Sequence, residues 1–172
     1  MKMKVVKKQK NARSCFICGV ANTHGLQTRY YELEDGSVAG LTVARPFHQS
    51  YPGRVHGGVI TAMLDETLCR SITPLEPETW AVTGRLETRY LKPVPYDVPL
   101  IITGRVTRNR RLLFEAEGKI LLPDGTVAAK ASGTFMKQRL DNIADFDAHG
   151  DSWELYTEPG DPSELDIPQA EE

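Results

Sequence analysis

Residues 51–66 read YPGRVHGGVITAMLDE, and the architecture can be worked out from them toward both ends of the chain. Turn formers give way here to the one strong helical pattern, which we predict to run from residue 57 to about residue 72. Pro74 and Pro77 end it, because proline cannot continue a helix. One continuous arc of this helix is mostly apolar, which predicts that it packs on a sheet. The arc consists of Val59, Ile60, Met63, Leu64, Thr67 and Leu68.

The opposite side of the helix carries small residues, Ala62 and Cys69, flanked by Asp65 and Glu66. Within the helix no Lys or Arg precedes Arg70, so we expect this face to lie close to another surface, most naturally a partner subunit. A carboxylate there loses solvation, which costs several kcal/mol unless it gains donors or a proton. Catalysis is one explanation of such a group, but from this pattern alone an interface salt bridge or a carboxylate that reaches water at the helix edge is favoured.

Two glycines follow His56 at the helix start, where unpaired N–H groups and the helix dipole can polarise a carbonyl. A plain tight turn is the alternative. Asp65 lies eight residues after Gly57, which puts the two about 12 Å apart along the axis. One carbonyl cannot touch both, so a shared reaction centre requires an antiparallel helix from a second subunit, as in a twofold dimer.

Six further segments alternate or carry β-branched and aromatic residues between turn signals, and they predict strands. With one helix among them, the fold class is α+β, an antiparallel sheet of about five or six strands against one long helix. The predicted strands are residues 26–33, 38–43, 80–91, 100–107, 112–122 and 126–137.

Charge divides the chain into a basic body and an acidic tail. Residues 1–138 hold 20 Lys and Arg against 12 Asp and Glu, whereas residues 139–172 hold one Arg against 11 Asp and Glu. We predict a flexible basic arm at 1–14, a folded domain at 15–138 and a loosely ordered tail at 139–172. A basic body suits a polyphosphate ligand or nucleic acid on charge alone, but no nucleic-acid-binding motif is present, so we expect no nucleic acid.

Three cysteines form a poor disulfide framework, and no apolar segment is long enough to span a membrane. We therefore expect a cytoplasmic protein. Cys15 and Cys18 have the spacing of half a zinc site or of a redox pair. A second pair is missing from the chain, although two subunits together would supply four cysteines. We predict no metal site.

The 51–66 segment resembles the HGG-x6-D motif of PaaI-like hotdog-fold acyl-CoA thioesterases. Two further segments agree with that family: residues 15–26, which begin Cys15-Phe-Ile-Cys18-Gly19, and residues 89–94, which read RYLKPV. The resemblance covers about residues 15–138. Thr23 departs from it, because proline often follows the asparagine in the family.

The resemblance implies a helix wrapped by an antiparallel sheet, a homodimer or dimer of dimers, and hydrolysis of acyl-CoA. It implies that Asp65 acts as general base or nucleophile and that the Gly57 N–H polarises the thioester carbonyl. CoA is part of the substrate, so no cofactor is expected. His56 is a further catalytic candidate, and the candidate substrate contacts are Gly58, Gln49, His48, Glu66, Arg89, Arg108 and Arg110.

The main alternative is a non-catalytic acyl-CoA or lipid binder on the same fold, because a fold does not fix a function. A hydratase is less well supported, since no separate catalytic Asp and His pair is found. The acyl group that is recognised cannot be read from the sequence.

Overall fold

The computed structural model describes residues 1–144 and 152–168. It contains one α-helix, α1 (Gly57–Arg70), as the sequence predicts. Two short 3-10 helices, Pro46–His48 and Leu140–Asn142, lie outside the sheet. The ten strands are β1 (Lys2–Lys8), β2 (Asn11–Ala12), β3 (Arg29–Leu33), β4 (Val38–Val43), β5 (Trp80–Tyr90), β6 (Pro99–Asn109), β7 (Leu113–Leu121), β8 (Val127–Gln138), β9 (Trp153–Glu154) and β10 (Glu164–Asp166).

Eight of these strands form one antiparallel sheet in the order β10-β1-β3-β4-β6-β7-β8-β5. Strands β2 and β9 form a separate two-stranded ribbon. The α+β layout agrees with the prediction, but the sheet is larger than the expected five or six strands. The additional strands come from the two ends of the chain.

Helix α1 packs across the inner face of the sheet through the predicted arc. Ile60, Met63, Leu64, Thr67 and Leu68 are buried, and Val59 is half-buried. The helix lies close to Gly118 of β7, where a Cβ atom would lie 2.2 Å from the Thr103 carbonyl oxygen and 2.8 Å from Cδ2 of Leu68. A side chain at that position would clash with both strand β6 and the helix.

Strand β1 corrects the prediction of a flexible arm at residues 1–14. It pairs with β3 on one side and β10 on the other, and Met3 is buried against Tyr31 and Leu165. Lysine is a poor strand former, so the Lys-rich pattern hides the strand. Its partner β10 lies more than 150 residues away in the chain, where no local signal can announce it.

The acidic tail is also better ordered than predicted over the part that the structure describes. Leu165 of β10 is buried, and acidic residues pair with basic ones near β1 and β3. These pairs are Lys8–Asp161, Arg29–Glu158 and the amino-terminal ammonium with Asp166. Residues 145–151 and 169–172 of the predicted tail lie outside the described range.

None of the helices in residues 1–144 and 152–168 is long and apolar enough to cross a bilayer.

Candidate active site

Helix α1 and strand β5 meet along a polar, partly exposed face, which we call the α1–β5 face. Asp65 lies at its middle, half-buried, and its Oδ1 accepts a 2.6 Å hydrogen bond from the Thr83 hydroxyl. Burial raises the pKa of Asp65, the Thr83 hydrogen bond opposes that rise, and the nearby Glu66 charge adds to it. The carboxylate is therefore partly desolvated and held in one orientation, as a general base requires.

The amino end of α1 forms the second part of the face. His56 is the N-cap residue, and its Nδ1 accepts a 2.9 Å hydrogen bond from the Gly58 N–H. Among the described residues no acceptor pairs with the Gly57 N–H, so this donor is available at the positive end of the helix dipole. Of the two glycines, Gly57 thus offers its N–H to a ligand, whereas Gly58 gives its own to His56.

Tyr90 connects the helix start to β5. Its hydroxyl donates a 3.1 Å hydrogen bond to the Gly57 carbonyl and lies 2.7 Å from the Thr61 hydroxyl oxygen. The Thr61 hydroxyl also lies 3.4 Å from that of Thr88. Thr88 and Tyr90 are two residues apart on the strand, so their side chains lie on the same face of the sheet, the one that α1 covers. The helix start is therefore fixed relative to β5.

The turn before α1 also determines where His56 lies. The His56 N–H donates to the His48 carbonyl at 2.9 Å, and Gln49 and Val55 form an isolated antiparallel bridge. Gln49 is exposed beside the helix start, which keeps it a candidate for contact with a ligand.

The contacts of the His48 side chain are structural. It is 3% exposed, its Nδ1 accepts from the Arg45 N–H at 3.0 Å, and its Nε2 lies 2.8 Å from the His24 carbonyl. Its ring also packs edge-on against Phe47 and Phe16. Both ring nitrogens are occupied, so the geometry does not support the predicted substrate contact.

Glu66 lies on the other flank of α1 from Asp65. Its Oε1 accepts a 2.8 Å hydrogen bond from Nε of Arg70, and its carboxylate is close to the thiols of Cys15 and Cys18. A step of one residue rotates a side chain by about 100° around a helix, which separates the two carboxylates. The structure thus gives no support to Glu66 as a substrate contact.

The three predicted arginines lie away from Asp65. Arg89 faces the outer side of the sheet, where it lines a depression of about 660 Å³ together with Lys119 and Lys130. Arg108 pairs with Glu115 near the β6–β7 hairpin, and Arg110 follows it in the turn. That hairpin is near the carboxyl end of α1, because Asn109 donates to Glu76. Within one chain these arginines do not converge on Asp65 and Gly57.

The small-residue side of α1 is covered partly by β5 of the same chain. Cys69 is half-buried, and its thiol donates a 3.4 Å hydrogen bond to the Ala81 carbonyl. The expectation that a partner subunit covers this side is therefore corrected for Cys69, whereas Asp65 and the outer edge of β5 stay accessible in the single chain.

Thr83 and Tyr90, which hold Asp65 and the helix start, carry no motif that singles them out in the sequence. Both belong to a correctly predicted strand, but the pattern does not specify how the strand is aligned against the helix. The alternation of Thr88 and Tyr90 on one face is the one signal that was available.

Comparison with known proteins finds one matching family profile and two similar curated proteins. The profile of the Thioesterase superfamily matches residues 52–129, which include α1 and β5. An uncharacterised protein of Schizosaccharomyces pombe is 31% identical over 114 residues, which are 63% of this chain and 65% of that protein. MIOREX complex component 3 of Saccharomyces cerevisiae is 34% identical over 65 residues, 37% of this chain and 24% of its own length. The aligned part thus spans less than two thirds of both relatives.

Solved structures of thioesterase superfamily proteins have the same fold. One such crystal structure is 31% identical with a TM-score of 0.66, and the match covers 72% of this chain and 63% of the other. A hypothetical thioesterase of Streptococcus pneumoniae, solved with coenzyme A, is 26% identical with a TM-score of 0.56, covering 61% and 85%. The PaaI protein of Escherichia coli is 14% identical with a TM-score of 0.60, covering 66% and 80%. The predicted hotdog fold is confirmed.

Proposed function

We propose that this chain is a member of the thioesterase superfamily, whose profile matches residues 52–129, and that it hydrolyses acyl-CoA thioesters to a free acid and CoA. The observation that carries the proposal is that one helix has two suitable groups, the partly desolvated carboxylate of Asp65 at its middle and the unused N–H of Gly57 at its start. The two groups match the two requirements of thioester hydrolysis, which are a base or nucleophile and a donor for the developing oxyanion.

In the proposed reaction the Gly57 N–H donates to the thioester carbonyl oxygen. Asp65 removes a proton from water as the water oxygen bonds to the acyl carbon, which gives a tetrahedral intermediate. That intermediate collapses, the carbon–sulfur bond breaks, and the thiolate of CoA takes the proton from Asp65. Direct attack by the Asp65 carboxylate, followed by hydrolysis of the resulting anhydride, uses the same two residues.

We place the complete site between two chains. Gly57 and Asp65 are about 12 Å apart along α1, so one carbonyl cannot reach both within a chain. The position of strand β5 favours a dimer of this kind. Within the described residues β5 is an edge strand of the sheet, and it borders the α1–β5 face. Pairing of two β5 edges around a twofold axis would put the α1 helices side by side and antiparallel, giving two sites in each dimer.

Coenzyme A is proposed as the carrier of the acyl group. The Streptococcus pneumoniae relative was solved with coenzyme A, and the basic residues of the β6–β7 hairpin would suit its phosphates. In an antiparallel dimer the hairpin of one chain approaches the amino end of the partner's α1, so Arg108 and Arg110 can serve a site shared by the two chains. Membership of the PaaI-like branch is part of this proposal and depends on the spacing from His56 to Asp65.

The direct test measures release of free CoA from aryl, short-chain and long-chain acyl-CoA. Asp65→Asn should lower kcat by a factor of about 10² to 10⁴, the range for removal of a general base. Glu78→Gln is the control, because Glu78 is an exposed carboxylate outside α1 and β5. Equal rates for Asp65→Asn and the unmodified protein would overturn the proposal. Binding of acyl-CoA by the unmodified protein without turnover of any of these substrates would favour a non-catalytic binder.

A second test asks whether the two groups come from different chains. Gly57→Pro removes the N–H at a position that suits proline, because proline fits the first position of a helix and His56 already has the extended conformation that a following proline requires. Chains carrying Asp65→Asn and Gly57→Pro are co-expressed with different tags, and the mixed dimer is purified through both tags.

If each site combines Asp65 of one chain with Gly57 of the other, the mixed dimer has one intact site and one doubly altered site. Its rate should be about half that of the unmodified dimer, whereas each parental variant is nearly inactive. A mixed dimer as inactive as its parents would show that both groups act within one chain, which contradicts the shared site.

A further inference from the structure

The proposed hydrolysis does not use Cys15, Cys18 or Glu66, yet the fold brings them together. One sulfur from each cysteine and one Glu66 carboxylate oxygen lie within 4.8 Å of one another. The cysteines come from a turn at residues 15–19, and Glu66 comes from α1 about 50 residues later. Cys18 is fully buried, while Cys15 and Glu66 are partly exposed.

The turn is built to present both sulfurs in one direction. The N–H groups of Ile17 and Cys18 lie 3.3 and 3.4 Å from the Cys15 sulfur, and the Gly19 N–H donates to the Cys15 carbonyl at 2.9 Å. A Cβ atom at Gly19 would lie 2.3 Å from that carbonyl oxygen, so the turn closes this tightly only with glycine. Two N–H groups directed at one sulfur favour the anionic form of that sulfur.

Arg70 holds the other two groups in place. It donates from Nε to Glu66 at 2.8 Å and from a terminal nitrogen to the Cys18 sulfur at 3.1 Å. Its guanidinium also donates to the Lys10 carbonyl and stacks over the rings of Tyr30 and Trp153. Because Arg70 is buried and fixed on several sides, Glu66 and Cys18 are orientated before any ligand arrives.

We propose that Cys15, Cys18 and Glu66 bind a zinc-class divalent cation where the 15–19 turn meets helix α1. Two thiolates and a carboxylate are donors that zinc accepts, and two sulfurs on a tetrahedral zinc lie about 3.8 Å apart. The donors therefore need only small side-chain rotations to close on an ion. Charge also agrees, because three anionic donors and the Arg70 cation leave two negative charges, which a divalent ion neutralises.

The described residues contribute no fourth Cys, His, Asp or Glu to the cluster, so water would fill the remaining position on the partly exposed side of Cys15. The ion would join the loop before β3 to helix α1. Its ligand on the helix, Glu66, directly follows Asp65 in the sequence. It is a structural link, and its presence does not depend on the proposed hydrolysis.

The test measures metal in the full chain purified without chelators, then incubated with zinc chloride and desalted. Elemental analysis should find about one zinc per chain in the unmodified protein and at least a tenfold weaker affinity in Cys15→Ser and Cys18→Ser. Cys69→Ser is the matched control and should bind normally, because Cys69 donates to Ala81 on the β5 side. Glu66→Gln keeps the shape of the side chain and should weaken binding without loss of the fold.

Cobalt gives a second readout that reports the donor atoms. Cobalt(II) bound by the unmodified protein should show thiolate-to-metal absorption in the near ultraviolet, which should decrease in either cysteine variant that circular dichroism shows to be folded. No zinc retained by the unmodified protein would overturn the proposal. Binding equal in Cys15→Ser, Cys18→Ser and the unmodified protein, or a Cys15–Cys18 disulfide in metal-free protein as isolated, would overturn it as well.

Discussion

The Thr83 hydroxyl donates a 2.6 Å hydrogen bond to the Asp65 carboxylate, and this bond joins the middle of helix α1 to the edge strand β5. Burial disfavours the charged carboxylate, and the hydrogen bond favours it. Thr83 therefore favours the ionised form of Asp65 and fixes which oxygen faces the sheet. The second oxygen has no donor among the described residues, so it is the one available to activate water.

Replacement of Thr83 by valine tests this relationship. Valine has nearly the same shape but no hydroxyl, so Asp65 loses its donor while the strand stays intact. We expect kcat for acyl-CoA hydrolysis to fall about tenfold, which corresponds to about 1.4 kcal/mol, the size of one hydrogen bond to a charged group. Thr83→Ser keeps the hydroxyl and should stay within about twofold of the unmodified rate. Equal rates for the valine and serine variants would exclude a role for the hydrogen bond.

Gly57 gives a prediction that separates stability from activity. Proline at this first helical position removes an N–H that the described fold does not use, so the melting temperature should change little. Activity should fall by a factor of about 10² to 10³, as for loss of one oxyanion donor. Gly57→Ala keeps the N–H, and its Cβ would lie 3.6 Å from the Tyr90 ring, an ordinary contact. Gly57→Ala should therefore be more active than Gly57→Pro, and the opposite order would count against the N–H.

The sequence was sufficient for the helix and for the strands that neighbour it in the chain. Helix α1 has a strong apolar arc and clear end signals, and the hairpin from β6 to β7 has strands of matching length on both sides of a polar turn. In these elements the pattern repeats several times within a short segment, so local chemistry determines the structure. Strand β1 and its partner β10 have no such signal, because their pairing joins the two ends of the chain.

The same reasoning explains which site residues were predictable. His56, Gly57 and Asp65 share one helix, where residue spacing fixes geometry. Thr83 comes from another element, and its contact with Asp65 depends on how β5 is aligned against α1. Glu66 shows the converse limit, since its approach to Cys15 depends on the path of a loop that the sequence did not specify.

Glu76 provides a prediction on stability and pH. Its carboxylate accepts hydrogen bonds from Lys137 at 2.7 Å, Asn109 at 2.8 Å and Thr79 at 2.8 Å, and these bonds lower its pKa to about 2. Since the pKa is lowered on folding, the stabilisation is complete above the ordinary pKa of 4.5 and is lost as the pH falls toward 2. The side chain is partly exposed, so we expect on the order of 1 kcal/mol at neutral pH after solvent screening.

The measurement compares the unmodified protein with Glu76→Gln by chemical denaturation at several pH values. The difference in free energy of unfolding should be constant from about pH 6 to pH 8 and should shrink steadily below about pH 4.5. Glu78→Gln, which alters an exposed carboxylate two residues away, should show no such difference. A difference between Glu76→Gln and the unmodified protein that does not vary with pH would mean that the charge of Glu76 does not contribute.

The outer edge of β5 gives the last prediction. Val82 is 39% exposed on this edge strand, next to Thr83, and apolar exposure at a long strand edge favours association with another chain. Val82→Lys puts a charge on each copy, and two such charges near a twofold axis repel each other. We expect the unmodified chain to be a dimer or dimer of dimers in light scattering and Val82→Lys to shift toward monomer. The kcat of Val82→Lys per chain should fall as the monomer fraction rises, because each site draws on two chains.

Val82→Thr is the control for this prediction. It keeps the shape without the charge and should remain associated and active. A monomeric Val82→Lys with full activity would contradict the shared site, and unchanged association of Val82→Lys would mean that chains do not pair through β5.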